Sequence, residues 1–325
     1  MILFLLILLA CGNNTDEKSE IKKSLPKKLE RTNVKNLFKN KKIKIAFSEK
    51  KLDDLPIMSK RMLEAFKTDN YKKVLRYIDE GEDANSAFPK GTKFGLSNPR
   101  TPLHRANSIK DYNFAMKLIN KGADLTIMHL NDDRHLLRSF IRSDNEGALN
   151  IFKIFMANIT KEQKNKVRSW KAKKFGTLLH TAAENQKLGV HFVRELLNGM
   201  GREEKTKYKM IVENEYKESP LHYAAAEINK EVVKELLKDM SEAKAKEYKL
   251  LLTYENENVL HKVALGAFLE NEQSGIDIVE FIFQDLIVNE KNILKEQKNN
   301  YGKTPYNLAI DNQLNKLAEK LAIVK

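Results

Sequence analysis

Six positions of the 325-residue chain fall into one register: His104, Arg138, His180, His222, His261 and Asn307, separated by 34, 42, 42, 39 and 46 residues. Four imidazoles in such a row have the chemistry of metal ligands or general bases. Their spacing argues against both. Residues that recur once per structural unit stand about one packed helix apart, roughly 10 Å. Zinc–nitrogen bonds are roughly 2 Å long, so one cation cannot gather them. No HExxH, GxSxG or GxxxxGK[ST] string occurs. The carboxylates are dispersed over helix surfaces, so neither a nucleophile nor an acid–base couple is marked. The expectation is a non-enzyme with no catalytic residue, no metal and no cofactor.

The remaining candidate for covalent chemistry is Cys11, the sole cysteine. One thiol excludes an internal disulfide framework, a Cys-based structural zinc site and an iron–sulfur cluster. It follows MILFLLILLA, residues 1–10. That run is shorter than the roughly 20 residues a spanning helix needs. It fits the apolar region of a signal peptide, with small Ala10 before the cut. Leu8-Leu9-Ala10-Cys11 resembles the lipobox of bacterial lipoproteins. The resemblance implies that the thiol receives a diacylglycerol, that cleavage leaves Cys11 first, and that its new amine is acylated, for instance with palmitate. Each buried methylene contributes roughly 0.8 kcal/mol, so two or more chains hold firmly. Gly12 rather than Asp implies no inner-membrane retention signal. The expected place is therefore the outer membrane or surface of a bacterial envelope.

The elements that would carry such a domain follow from composition and repetition. The chain has 58 Lys+Arg against 44 Asp+Glu, a net charge of +14, with 42% hydrophobic residues, 13 Gly and 7 Pro. Collagen, a Pro/Gly-rich disordered polymer and a multispanning membrane protein are excluded. Residues 12–60 hold 14 Lys+Arg against 7 Asp+Glu, half the excess charge in about a seventh of the chain. A segment so poor in apolar residues does not offset its ordering entropy. Residues 11–58 are expected to be a lipidated, flexible, basic tether, with Ile43, Ile45 and Phe47 able to form one short strand. Export argues against nucleic acid as the partner of this charge.

From residue 59 onward the chain repeats. TPLHRA begins at 101, TLLHTAA at 177, SPLHYAA at 219, NVLHKVA at 258 and a degenerate KTPYNLAI at 303. Each is followed by paired apolar positions four apart, such as Val232, Val233, Leu236 and Leu237, which stripe one helix face. About seven units result: 59–85, 101–127, 133–157, 177–200, 219–240, 258–286 and 303–325. Pro102, Pro220 and Pro305 suit the first turn of a helix. Thr101, Thr177, Ser219 and Thr304 supply capping oxygens. Gly81 and Gly122 suit helix ends in the left-handed conformation.

These strings resemble ankyrin repeats over roughly residues 59–325. The resemblance implies an all-α helical solenoid with short β-hairpin fingers, and a structural role for the register histidines toward neighbouring backbone. The steps exceed the family's roughly 33 residues. The surplus forms a longer loop at FLENEQSG and short third helices inserted between repeats at NITKEQKNKVRSW, GREEKTKYKMIV, MSEAKAKEYKLLL and VNEKNILKEQK. Thr160 with Gln163, Ser241 and Asn289 are the expected caps. Trp170, the only Trp, reads equally as an interface anchor or as packing for an added helix.

Ankyrin stacks bind proteins through finger tips and first-helix positions lining a concave face. Mapping that register gives candidates Arg105, Ser108, Glu184, Glu215, Tyr216, Glu218, Tyr254, Glu255, Tyr301 and Lys303. The expectation is a monomeric, membrane-anchored protein-binding module. The alternative is an immunity or inhibitor lipoprotein that neutralises a toxic effector.

Overall fold

The computed structural model describes residues 45–93, 100–128, 135–212 and 215–323, all within one compact unit spanning 42–325. The expected signal peptide 1–10, Cys11 and the tether up to residue 44 lie outside the described residues.

Seven helix pairs follow one another among the described residues. They are α1 (Lys60–Lys67) with α2 (Tyr71–Asp79), α3 (Pro102–Ser108) with α4 (Tyr112–Asn120), and α5 (Leu136–Ile141) with α6 (Glu146–Asn158). After α7 (Lys161–Ser169) and a hairpin of β1 (Lys171–Ala172) and β2 (Gly176–Thr177) come α8 (Leu178–Glu184) and α9 (Gly189–Leu197). Then α10 (Arg202–Lys209), α11 (Pro220–Ala226), α12 (Lys230–Leu237), α13 (Glu242–Lys249), α14 (Val259–Gly266), α15 (Glu272–Phe283), α16 (Val288–Glu296), α17 (Pro305–Asp311) and α18 (Asn315–Leu321) complete the array. First helices pack on first helices (α8 on α11, α11 on α14, α14 on α17) and second on second (α9 on α12, α12 on α15, α15 on α18). No described helix is long and apolar enough to cross a membrane.

The apolar stripes explain this packing. Val232, Val233 and Leu236 are fully buried, as are Phe192, Val193 and Leu196 one unit earlier. Fully buried Ala182, Ala183, Ala224, Ala225 and Ala264 let the first helices approach closely. Gly81 and Gly122 adopt φ of 104° and 92°, a conformation that costs other residues strain.

Third helices α7, α10, α13 and α16 follow units three to six. Thr160 and Gln163 form the reciprocal cap of α7. Ser241 caps α13 by accepting from the Lys244 N–H. The cap expected at Asn289 lies elsewhere: α16 begins at Val288, and the Glu290 carboxylate accepts the Ile287 N–H at 3.2 Å.

The tether does not extend to residue 58. From residue 45 the chain docks on the first units. The Ser48 N–H donates to Asp124 at 2.7 Å, Leu52 and Met128 bond backbone to backbone, and Met58 donates to the Ala87 carbonyl at 2.8 Å. Leu52, Leu55 and Met58 are buried. Average composition misses this, because a few apolar anchors suffice when each has a groove and an unpaired edge to join. Trp170 is packing rather than a surface anchor. It is 9% exposed, its ring lies 3.5 Å from that of His135 and 5.9 Å from that of Phe47, and its N–H donates to Glu49.

Candidate functional site

Four of the six register residues, Arg138, His180, His222 and His261, tie their own unit to the next. The Thr177 N–H donates to His180 Nδ1 at 3.1 Å, so the ring proton sits on Nε2 and donates to the Glu218 carbonyl at 3.0 Å. His222 accepts from the Ser219 N–H and donates to the Leu251 carbonyl at 3.1 Å. His261 accepts from Asn258 and donates to the Lys303 carbonyl. The imidazole thus replaces the Glu or Gln of an ordinary capping box and also reaches forward. Burial lowers the pKa to about 4 at His180 and about 3 at His222, holding both rings neutral, and lowers that of His261 as well. With both nitrogens of these three rings engaged by backbone, no lone pair remains for ligation or proton abstraction.

Arg138 does the same work with longer reach. Its guanidinium donates to the Phe175 and Gly176 carbonyls at 3.2 and 2.7 Å and to the Thr181 hydroxyl. Burial lowers its pKa to about 10. Asn307, in the last unit, keeps the accepting half, taking the Thr304 N–H on Oδ1.

The third helices contribute a second recurring device that the sequence reading left without a role. Arg168 at the end of α7 donates to the carbonyl of Asn198, the residue closing α9, at 2.6 Å. Lys209 at the end of α10 donates to Lys238, closing α12, at 2.7 Å. Lys295 on α16 donates to Ala322, closing α18, at 2.6 Å. A cation on three of the four added helices thus caps the C-terminus of the following unit's second helix, where the helix dipole favours positive charge. The signal was present as an apolar residue followed by a cation at each helix end: Val167-Arg168, Tyr208-Lys209, Tyr248-Lys249 and Leu294-Lys295.

Of the ten candidates for partner contact, the structure gathers five: Glu215, Tyr216, Tyr254, Glu255 and Tyr301. Tyr216, Tyr254 and Tyr301 stand at 48%, 66% and 70% exposure on successive fingers. The fingers are joined in series: the Tyr254 N–H donates to the Tyr216 carbonyl at 2.8 Å, and the Asn300 N–H donates to the Glu255 carbonyl at 2.9 Å. The Tyr301 hydroxyl donates to the Glu255 carboxylate at 3.3 Å. Exposed Glu215 precedes this row.

Glu218 is half-buried, with its carboxylate 2.7 Å from Lys262, which also contacts Glu257 at 2.8 Å. Lys303 pairs with Asp311 at 2.7 Å. Glu218 and Lys303 also give their carbonyls to the histidines, so both serve the stack. Arg105 lies three units before the tyrosine row, 3.6 Å from Asp69, and accepts the exposed Ser108 hydroxyl on its carbonyl. Glu184 is half-buried, and burial raises its pKa against the pull of Arg142 and Arg138.

A family model described as ankyrin repeats (three copies) matches residues 140–247. Among solved structures, the ankyrin repeat domain of Bcl-3, a member of the IkappaB protein family, matches at 16% identity and a TM-score of 0.48, covering 80% of this chain and 98% of that one. No curated protein sequence matches. Ankyrin repeats are thus matched within residues 140–247, and the fold is the ankyrin-type helical solenoid, mostly helical with few short strands.

Proposed function

We propose that this array is a protein-binding module of a bacterial envelope, held at the membrane by lipid on Cys11. Ankyrin repeats are generally protein–protein interaction modules rather than enzymes. The observation that carries the reading is the row of Tyr216, Tyr254 and Tyr301, exposed on three fingers that the backbone pins to one another. Tyrosine brings large contact area, a polar tip and little side-chain entropy, which suits interface anchors. Because the fingers are already fixed, association need not order them. The anchoring half of the proposal rests on Leu8-Leu9-Ala10-Cys11. It requires that Cys11→Ser move the protein from the membrane fraction to the soluble one.

Tyr216→Ala combined with Tyr254→Ala tests the binding half. A copurifying partner is expected to fall by about tenfold or more, since a hot-spot side chain contributes about 2 kcal/mol. The melting temperature is expected to hold, because both side chains are exposed. Undiminished copurification would refute the binding face.

A further inference from the structure

Lys249 occupies the same position on α13 that Arg168, Lys209 and Lys295 occupy on the other added helices, yet it has lost its carbonyl. In the other three cases the accepting residue has extended backbone: ψ is 132° at Asn198, 144° at Lys238 and 145° at Ala322. That geometry turns the last carbonyl away from the helix axis toward the cation. The corresponding residue after α15 is Gln284, with φ −50° and ψ −47°, still helical. Its carbonyl points on along the axis. Among the described residues the Lys249 ammonium has no hydrogen-bond acceptor, and its nearest carboxylate is the well-exposed Asp285 at 3.9 Å. The residue is nevertheless 2% exposed.

The ammonium opens onto a groove of about 740 Å³ between α12, α13 and α15. Leu237, Met240, Phe281 and Leu286 give this groove an apolar wall. The neighbouring charges largely satisfy one another: Arg194 pairs with Glu235 at 2.7 Å, Lys234 with Glu231 at 3.1 Å, and Lys246 with Glu290. Lys249 is therefore a buried cation facing a cavity of the size that holds small ligands.

We propose that this groove receives the C-terminal carboxylate of a partner chain ending in an apolar residue. The three equivalent cations each hold a main-chain oxygen at the end of a peptide helix. In the fourth the position is open, the cation is desolvated, and the wall beside it is apolar. A terminal carboxylate supplies the main-chain oxygen together with the opposite charge, and the last side chain meets Leu237 and Phe281. A charge-assisted hydrogen bond in such surroundings is the strong kind. The site stands apart from the fingers and does not depend on the tyrosine row.

The test is a calorimetric titration of the purified protein with acetyl-Ala-Ala-Leu bearing a free carboxylate, its C-terminal amide, and hexanoate. The free acid is expected to bind about tenfold or more tightly than the amide. Lys249→Met is expected to abolish that difference while keeping the wild-type melting temperature, because no hydrogen bond is lost. Lys249→Arg, which retains the charge and lengthens the donor, is expected to keep the preference for the acid. Equal binding of acid and amide, no binding of the acid at millimolar concentration, or an unchanged preference in Lys249→Met would overturn the proposal. Hexanoate binding as tightly as the peptide would overturn the assignment to a peptide terminus.

Discussion

His222 is 1% exposed, accepts one backbone N–H of its own unit and donates to one carbonyl of the next. Removing it leaves two buried backbone groups unpaired. His222→Phe is therefore expected to cost about 2–4 kcal/mol in chemical denaturation. The same environment makes the fold acid-sensitive. The ring is neutral in the folded chain, with its pKa lowered to about 3, and charges near 6.5 in the unfolded chain. Its contribution is whole above pH 6.5 and is lost as pH falls from there toward 3, on the order of 4 kcal/mol in total. His180, lowered to about 4, adds to the loss over much the same window. Wild-type stability should fall between pH 6.5 and 4, and His222→Phe should flatten that slope. The register itself was legible from the recurring strings. The equivalence of Arg138 was legible only as a position, since its reach to Phe175 and Gly176 depends on where β1 and β2 place the next finger.

The added helices show what a sequence can mark without explaining. Their existence follows from charged, capped stretches such as Thr160 to Ser169. Their purpose depends on the backbone angle at a residue 27 to 30 positions away: Arg168 meets Asn198, Lys209 meets Lys238, and Lys295 meets Ala322. No local pattern encodes that meeting. Lys209 also donates to the Glu235 carbonyl at 3.1 Å, and burial pushes its pKa down to about 8. Lys209→Met is expected to destabilise the protein by about 1–2 kcal/mol at pH 7, since two main-chain oxygens lose a charged donor. Denaturation curves should show that loss for Lys209→Met, alongside none for Lys249→Met. Equal losses would mean that the two lysines are not distinguished by the turn that follows α15.

Across the whole array each pair of helices rests mainly on its neighbours, so stability accumulates unit by unit. The docked segment 45–58 breaks that locality by reaching residues about 75 positions onward: Ser48 meets Asp124, and Leu52 meets Met128. A chain starting at residue 59 loses the burial of Leu52, Leu55 and Met58, each contributing about 1.5–3 kcal/mol at most. It should unfold at clearly lower denaturant concentration than one starting at residue 42. Composition could not reveal this docking, because Leu52, Leu55 and Met58 at the end of a lysine-rich stretch look like part of a solvated spacer until the grooves that receive them exist. The finger tyrosines were legible individually, and the backbone bonds that set them in a row were not. The most direct test of the account places a photocrosslinking residue at Tyr254 in the full chain, with exposed Lys161 on α7 as the control position. In the native cell one dominant protein adduct is expected from position 254 and none of that mass from 161. The same adduct from both positions, or from 161 alone, would contradict it.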